Sequence, residues 1–217
     1  MDLRIERGKT TRERLISVGF DLFGARGYEA TSVGAILEAA GLARGAFYHH
    51  FATKAELFEA VLDRVIGRIA DASAEAARAR TDPFDSLRAG CAAWLDVALD
   101  PAIQRIVFIE GASVVGWNRY REIDEGHTLG GLKAGMRALA RFGLLPEDNV
   151  DVLAHMVAGA VGEAAKLIVS AEDPVAARKA GQSALDTLLG RLVGLERQAD
   201  HREAERGVDG EGHEHKS

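Results

Sequence analysis

Within the stretch Thr31–Lys54, side chains that donate hydrogen bonds are interspersed with very small ones. Arg44 and Lys54 carry positive charge, and the hydroxyl and imidazole groups nearby can donate to phosphate oxygens or to base edges. Glycine and alanine between them let a backbone come close to a duplex. The residues that this pattern predicts to contact DNA are Thr31, Ser32, Ala43, Arg44, Gly45, Ala46, Tyr48, His49, His50 and Lys54.

Two short helices are needed to present these residues together. The first is predicted over residues 31–40 and ends at Gly41, which stands where a left-handed C-cap residue is wanted. The second is predicted over residues 43–50. Thr53 and Glu56 then have the spacing of a capping box, which opens a longer helix. Two short helices joined by a tight glycine turn are the helix-turn-helix plan, whose second helix lies in the major groove.

Other interpretations of the same residues are less favoured. His49 and His50 suggest a metal site, but adjacent helical residues point about 100° apart and chelate one ion poorly. Phe47 and Phe51, four residues apart, are assigned to the core rather than to the DNA surface. A lone Arg or Lys is often only a solvated charge. We therefore predict no metal and no cofactor, and we favour DNA contact for the stretch as a whole.

The stretch also resembles the N-terminal domain of TetR/AcrR-type transcriptional regulators. The similarity covers about residues 10–58 closely, and the remainder agrees only in length and helical content. The resemblance implies a homodimer and a ligand pocket in the body, although it does not say which residues line that pocket. The matching positions are Gly27, Tyr28, Thr31, Ala40, Gly41, Leu42, Gly45, Phe47, Tyr48, His50, Phe51 and Lys54.

Composition favours an all-α fold. The chain of 217 residues is 47% hydrophobic and 28% charged, with only 4 prolines, and no alternating β-branched run predicts a strand. We expect about nine helices, the first three in a helix-turn-helix domain and the rest in a larger bundle. The predicted segments are a flexible arm (1–9), the DNA-binding domain (10–56), a ligand-binding and dimerisation domain (57–195) and a disordered tail (196–217).

Asp-Pro pairs and glycines mark the expected helix boundaries in the body. Besides a first helix over about 10–25, helices are predicted over 54–80, 83–98, 102–115, 127–142, 147–170 and 174–195, and the polar segment 116–126 is predicted to be a loop. The helix starting after Thr53 is expected to pack on both domains, so that it can carry a shape change from one to the other.

Charge and cysteine content restrict the functional class. The net charge of −6 argues against a protein that coats nucleic acid, but residues 1–54 carry 8 Lys+Arg against 6 Asp+Glu. A mildly basic head on an acidic body suits a DNA-reading module attached to something else. The single cysteine, Cys91, excludes an internal disulfide framework and suits a reducing cytoplasm. No signal peptide and no membrane span of about 20 apolar residues is predicted, so we expect a cytoplasmic protein.

Two further sets of residues are candidates for function in the body. Aromatic and polar side chains of the bundle could surround a small-molecule cavity, with plain core packing as the alternative. These candidates are Trp94, Phe108, Trp117, Tyr120, His127 and Met136. The last two predicted helices are apolar nearly all round, which predicts a dimer interface, with an intrachain core as the alternative. The interface candidates are Val150, Leu153, Val157, Val161, Ala164, Ile168, Ala184, Leu188 and Leu192.

The sequence offers no convincing catalytic constellation. Gly-x-Ser-x-Gly is absent, and Gly111 and Gly116 have P-loop spacing but are followed by Trp117 and Asn118 where Lys and Ser/Thr belong. The sequence therefore predicts a homodimeric repressor that binds a palindromic operator and is released by an unknown small-molecule effector. A transcriptional activator and a ligand-independent architectural DNA-binding protein remain as alternatives, and an enzyme with a DNA-binding head is disfavoured.

Overall fold

The structure is a computed structural model that describes residues 3–194, with side chains from Thr10 onward. Within these residues all regular structure is helical, which confirms the predicted all-α class. The predicted tail, 196–217, lies outside the described residues, as do the side chains of the predicted arm.

Four helices build and support the N-terminal head. They are α1 (Leu3–Arg26), α2 (Val33–Ala40), α3 (Arg44–His50) and α4 (Lys54–Arg78). The first helix begins at Leu3, inside the segment 1–9 that was predicted to be a flexible arm, so the predicted boundary of the arm is wrong. The capping box is present: the Thr53 hydroxyl accepts the Glu56 N–H at 3.1 Å, and the Glu56 carboxylate accepts the Ala52 N–H at 2.8 Å.

The body follows as a bundle that continues from α4. Its elements are α5 (Pro83–Val97), α6 (Pro101–Ile103), a π-helix (Gln104–Ile109), α7 (Gly111–Val115), α8 (Trp117–Arg141), a 3₁₀ turn (Glu147–Asn149), α9 (Val150–Ser170) and α10 (Pro174–Leu192). Three Asp-Pro pairs start α5, α6 and α10 as predicted, because the carboxylates of Asp82, Asp100 and Asp173 each accept a backbone N–H of the first turn.

Two boundary predictions in the body are wrong. The segment 116–126 is not a loop but belongs to α8, which begins at Trp117. Ion pairs one turn apart, Arg119 with Glu122 at 2.9 Å and Arg121 with Glu125 at 2.5 Å, stabilise this polar stretch as helix. The helix predicted over 102–115 is instead divided into α6, the π-helix and α7.

The apolar residues form two buried clusters. The first joins the head to one side of α4, with contributions from the π-helix and α8. The second joins α5, α8, α9 and α10 in the body. Trp94 and Phe108 pack against both clusters, with their ring centroids 5.9 Å apart in an edge-on arrangement. The two clusters therefore meet at these rings.

The structure corrects the predicted dimer face of α9. Val150, Val157, Val161 and Ile168 are buried inside the single chain, where they form part of the second cluster. These four residues are at most 6% exposed and pack inside the chain, which is the alternative of an intrachain core, so their assignment to an interface is wrong. Leu153, Ala164 and Leu192 are partly buried against the same cluster, whereas Ala184 and Leu188 are exposed.

The predicted ligand residues occupy several different settings. Trp117 is 60% exposed and stacks on Tyr120, with ring centroids 6.1 Å apart. His127 lies on the surface, with its Nε2 atom 3.0 Å from Oδ1 of Asp63 on α4. The prediction that Trp117 and His127 line an interior cavity is therefore wrong. Met136 is fully buried in the second cluster, which leaves Trp94, Phe108 and Tyr120 as half-buried candidates.

Candidate nucleic-acid interface

The turn between α2 and α3 has a fixed geometry. Gly41 adopts the left-handed conformation with φ of +61°, and its N–H donates to the carbonyl of Glu38 at 3.1 Å. The N–H of Leu42 donates to the carbonyl of Leu37 at 3.0 Å, so both bonds close the C-terminal end of α2. The predicted glycine turn is therefore present, and it sets the angle at which α3 leaves α2.

Two phenylalanines hold the inner face of α3. Phe47 and Phe51 are both buried in the first cluster, with their ring centroids 6.0 Å apart, as the sequence predicted. Phe51 ends the helix, and its N–H donates to the Phe47 carbonyl. Because this face is committed to the core, the opposite face of α3 is presented to solvent.

The outward face of α3 combines a cation, an aromatic ring and bare backbone. Arg44, Gly45 and His49 are exposed, and Tyr48 is 48% exposed. The guanidinium carbon of Arg44 lies over the Tyr48 ring, 5.6 Å from its centroid, so the two side chains are in contact as a cation–π pair. A Cβ added at Gly45 would meet nothing within 4 Å, so the backbone there is open to a partner.

The histidine pair at the end of α3 differs in environment. His50 is half-buried, and burial, followed by the nearby His49 and Arg12, lowers the pKa of its imidazole below the usual value. A neutral imidazole still has one N–H to donate. No group of three or more His, Cys, Asp or Glu side chains suited to a metal ion occurs in the described part of the chain.

Lys54 lies at the start of α4, beside the end of α1. Its ammonium donates to the Tyr28 carbonyl at 2.7 Å and lies 3.9 Å from the centroid of the Tyr28 ring. One of three N–H donors is used in this way, which leaves two for a phosphate. Lys54 is half-buried. Ser32 is exposed, and its hydroxyl already accepts the Ala35 N–H at 3.1 Å as the N-cap of α2.

Thr31 does not belong to this surface. Its side chain is 0% exposed, and its hydroxyl points at the carbonyls of Gly27, at 2.7 Å, and Leu22, at 3.3 Å. The prediction that Thr31 contacts DNA is therefore wrong. The residue instead bonds the end of α1 to the start of α2 inside the head.

Two cations on α1 were missed by sequence reasoning. Arg12 is exposed and its guanidinium carbon lies 5.4 Å from the Phe51 ring centroid, at the end of α3. Arg14 is exposed and reaches to 3.5 Å from the position of a Cβ on Gly41, at the turn. The predicted DNA contacts all came from the stretch Thr31–Lys54, and nothing in the sequence of α1 indicates that its polar face lies near α3.

A short helix anchored by buried phenylalanines, led by a glycine turn and flanked by arginines, defines a helix-turn-helix DNA-binding domain. Comparison with known proteins extends this conclusion to the family. Residues 15–61 match the family model described as bacterial regulatory proteins, tetR family. Residues 84–192 match a second model, described as the tetracyclin repressor-like C-terminal domain.

Individual relatives agree with these matches. A TetR-family transcriptional regulator of Pectobacterium atrosepticum is 31% identical in its crystal structure, covers 86% of this chain and 96% of its own, and has a TM-score of 0.76. The transposon Tn10 TetC protein of Escherichia coli is 29% identical over 71% of this chain and 78% of its own length. The transcriptional activator FasR of Mycolicibacterium smegmatis is 33% identical over 45% of each chain.

The chain belongs to the TetR family of bacterial transcriptional regulators. This membership confirms the predicted family, the DNA-binding function and the prediction that the protein is not an enzyme. The family models match one segment in the head and one in the body.

Proposed function

We propose that this protein is a homodimeric repressor that binds a palindromic operator in the cytoplasm and is released by a small-molecule effector. The observation that carries the dimer is the exposed apolar face of α9. Val152, Met156 and Leu167 on this face are 62%, 66% and 64% exposed. Water-exposed apolar side chains at helical spacing favour burial against another helix.

The composition of this helix strengthens the argument. By length and composition alone, Glu147–Ser170 is apolar enough to cross a membrane, yet only 28% of its most apolar window is buried in the single chain. Core helices of water-soluble proteins have the same length and composition, but most of their apolar surface is buried, whereas here most of it is exposed in the single chain. The partner face we propose joins Val152, Met156 and Leu167 to the exposed Ala184 and Leu188 of α10, so that two chains make a four-helix interface.

A dimer would also extend the DNA sequence that the protein can recognise. One α3 helix contacts only a few base pairs, whereas two related by a twofold axis read half-sites about 34–36 Å apart. The residues we propose for DNA contact are those predicted from the sequence without Thr31, together with Arg12 and Arg14. Arg44 is the candidate for a base edge, and Lys54 and Tyr48 are candidates for phosphates.

Release by an effector requires different affinities of the effector for two states of the body. The half-buried rings of Trp94 and Phe108 lie where the two clusters meet, and so they suit a ligand that alters how head and body pack. Coupling energies between such sites are typically about 1–3 kcal/mol. The FasR relative, named as an activator, supports activation as the second candidate.

Selection of duplexes from a random library by the full-length protein tests this proposal. We expect an inverted repeat with two half-sites, and a Met156→Asp variant should sediment as a monomer and bind that repeat more weakly. The matched control, Arg141→Asp, changes an exposed residue at the end of α8 and should stay dimeric. A single unrepeated half-site selected by a monomeric wild-type protein would refute the proposal.

A further inference from the structure

The turn between α1 and α2 is bonded to the body through two charged side chains. Nη1 of Arg105 donates to the carbonyls of Gly24, at 3.1 Å, and Ala25, at 2.6 Å. These carbonyls belong to the last turn of α1, where no intrahelical donor is available. On the other side of the turn, the carboxylate of Glu110 accepts the Tyr28 N–H at 2.9 Å.

The two backbones approach closely at this junction. Gly27 adopts a φ of +84°, and a Cβ added there would lie 2.6 Å from Oε1 of Glu110. A Cβ added at Gly24 would lie 2.6 Å from the Cβ of Ala102 on α6. At Gly24 the obstacle is Ala102 itself, whose Cα would lie 3.3 Å away, so no side chain fits between α1 and α6 there. At Gly27 the neighbouring atom is the end of the Glu110 side chain, and the positive φ is what favours glycine.

The π-helix explains how both charged groups reach one turn. The N–H of Glu110 donates to the carbonyl of Arg105 at 2.9 Å, which is an i→i+5 bond. In an α-helix, residues five apart point about 140° away from each other. The wider turn brings them toward the same side. The same π-helix buries Ile106 in the first cluster and presents Phe108 to Trp94, so it contacts both clusters.

The same turn is also bonded to the two helices that precede and follow α3 in the head. Thr31, at the start of α2, donates its hydroxyl proton to the carbonyl of Gly27 at 2.7 Å. Lys54, at the start of α4, donates to the carbonyl of Tyr28 at 2.7 Å. The bonds from Arg105 and Glu110 thus end at a turn that orients α2 and α4, and not at α3 itself.

We propose that Arg105 and Glu110 are positioning residues for DNA binding, which fix the orientation of the head relative to the body. In a dimer, this orientation sets the separation of half-sites that both heads can reach at once. The proposal rests on the proposed function, because it requires two heads on an inverted repeat. Neither side chain needs to touch the duplex.

The test compares duplexes that carry the selected inverted repeat with its spacer lengthened or shortened by one or two base pairs. The full-length wild type should bind the native spacing best. Arg105→Ala and Glu110→Ala should lose about tenfold of that discrimination, the scale expected for a lost hydrogen bond to a charged group. Their salt dependence should stay as in the wild type, because no phosphate contact is lost.

Conservative variants and a control separate positioning from a simple loss of folding. Glu110→Gln keeps an oxygen that can accept the Tyr28 N–H, and Arg105→Lys keeps a cationic donor, so both should retain most of the discrimination. Arg121→Ala removes an exposed ion pair within α8 and should retain all of it. Thermal melting of each variant gives the folded fraction to which binding is normalised.

Two results would overturn the proposal. The first is undiminished spacer discrimination in folded Arg105→Ala and Glu110→Ala, with affinity falling only in proportion to the folded fraction. This outcome would leave the proposed function intact. The second is a wild-type protein that selects no inverted repeat, which would refute the proposed function itself and, with it, any role for these residues in spacing two heads.

Discussion

Replacing Lys54 by glutamine should reduce the salt dependence of DNA binding. The ammonium of Lys54 has two N–H donors left after its bond to the Tyr28 carbonyl, and it belongs to the first residue of α4, the helix that follows α3. If each head of a dimer loses one phosphate contact, the slope of log K against log salt falls by about 1.8. Between 50 and 200 mM salt, the variant should therefore lose affinity about 12-fold less than the wild type does.

Glutamine is the appropriate substitution because it separates charge from structure. Its amide can still donate to the Tyr28 carbonyl, whereas alanine would also remove that bond and the contact with the Tyr28 ring, at a cost of about 1–2 kcal/mol of folding stability. The assay is a titration of the selected duplex by fluorescence anisotropy at several salt concentrations. A matched control is Lys133→Gln, which removes a charge from α8 in the body.

The result that refutes this reasoning is a slope for Lys54→Gln equal to that of the wild type, with the protein folded. Lys54 would then only hold the Tyr28 turn, and its place in the DNA surface would be lost. A reduced slope in Lys133→Gln as well would show that the effect follows net charge rather than contact.

Three other substitutions test separate parts of the account. Arg44→Ala should relax base preference at one position of each half-site by about 1–3 kcal/mol, measured by competition among single-base variants; an unchanged preference would reduce Arg44 to a phosphate contact. Thr31→Val should lower the free energy of unfolding by about 1–3 kcal/mol in urea and leave the salt slope unchanged, since the hydroxyl is buried on backbone carbonyls. Burial raises the pKa of Cys91 to about 12, above the unfolded value, so the thiol stabilises the fold below about pH 8.5 and this contribution is lost as pH rises toward 12. Cys91→Ala should flatten the fall of unfolding free energy above about pH 9, and an identical profile in both proteins would contradict the burial argument.

Local signals in the sequence were sufficient to predict the head and most helix starts. Gly41 and the Thr53–Glu56 box act within a few residues of their own position, so their types and spacing determine the local backbone. The Asp-Pro starts of α5 and α10 belong to the same class. Phe47 and Phe51 could be assigned to the core because a short helix flanked by polar residues has only one apolar face.

Features that depend on distant parts of the chain could not be predicted. Arg105 and Glu110 form hydrogen bonds with backbone groups of the turn after α1, which lie 80 to 82 positions earlier in the chain. Nothing in the sequence near either residue indicates these partners. The burial of Thr31 likewise depends on how α1 ends against α2. In α9, apolar residues surround the helix, so periodicity alone could not decide which side packs within the chain and which remains exposed.

The start of α8 was mispredicted for a related reason. Its glycines, Asn118 and Asp124 have low helix propensity, although its Arg and Glu residues favour helix. The helix is supported by ion pairs within it and by contacts across to α4, such as Arg119 with Glu59 at 2.8 Å. Tertiary support of this kind overrides propensity. A sequence window contains only one side of such a contact.

The central claim is that α3 enters the major groove at two places on one duplex. Chemical footprinting at guanine N7, which faces the major groove, and at adenine N3, which faces the minor groove, tests it directly on the selected operator. We predict N7 protection in two symmetric patches about one helical turn apart on one side of the duplex. Protection confined to N3, or a single patch, would contradict the account.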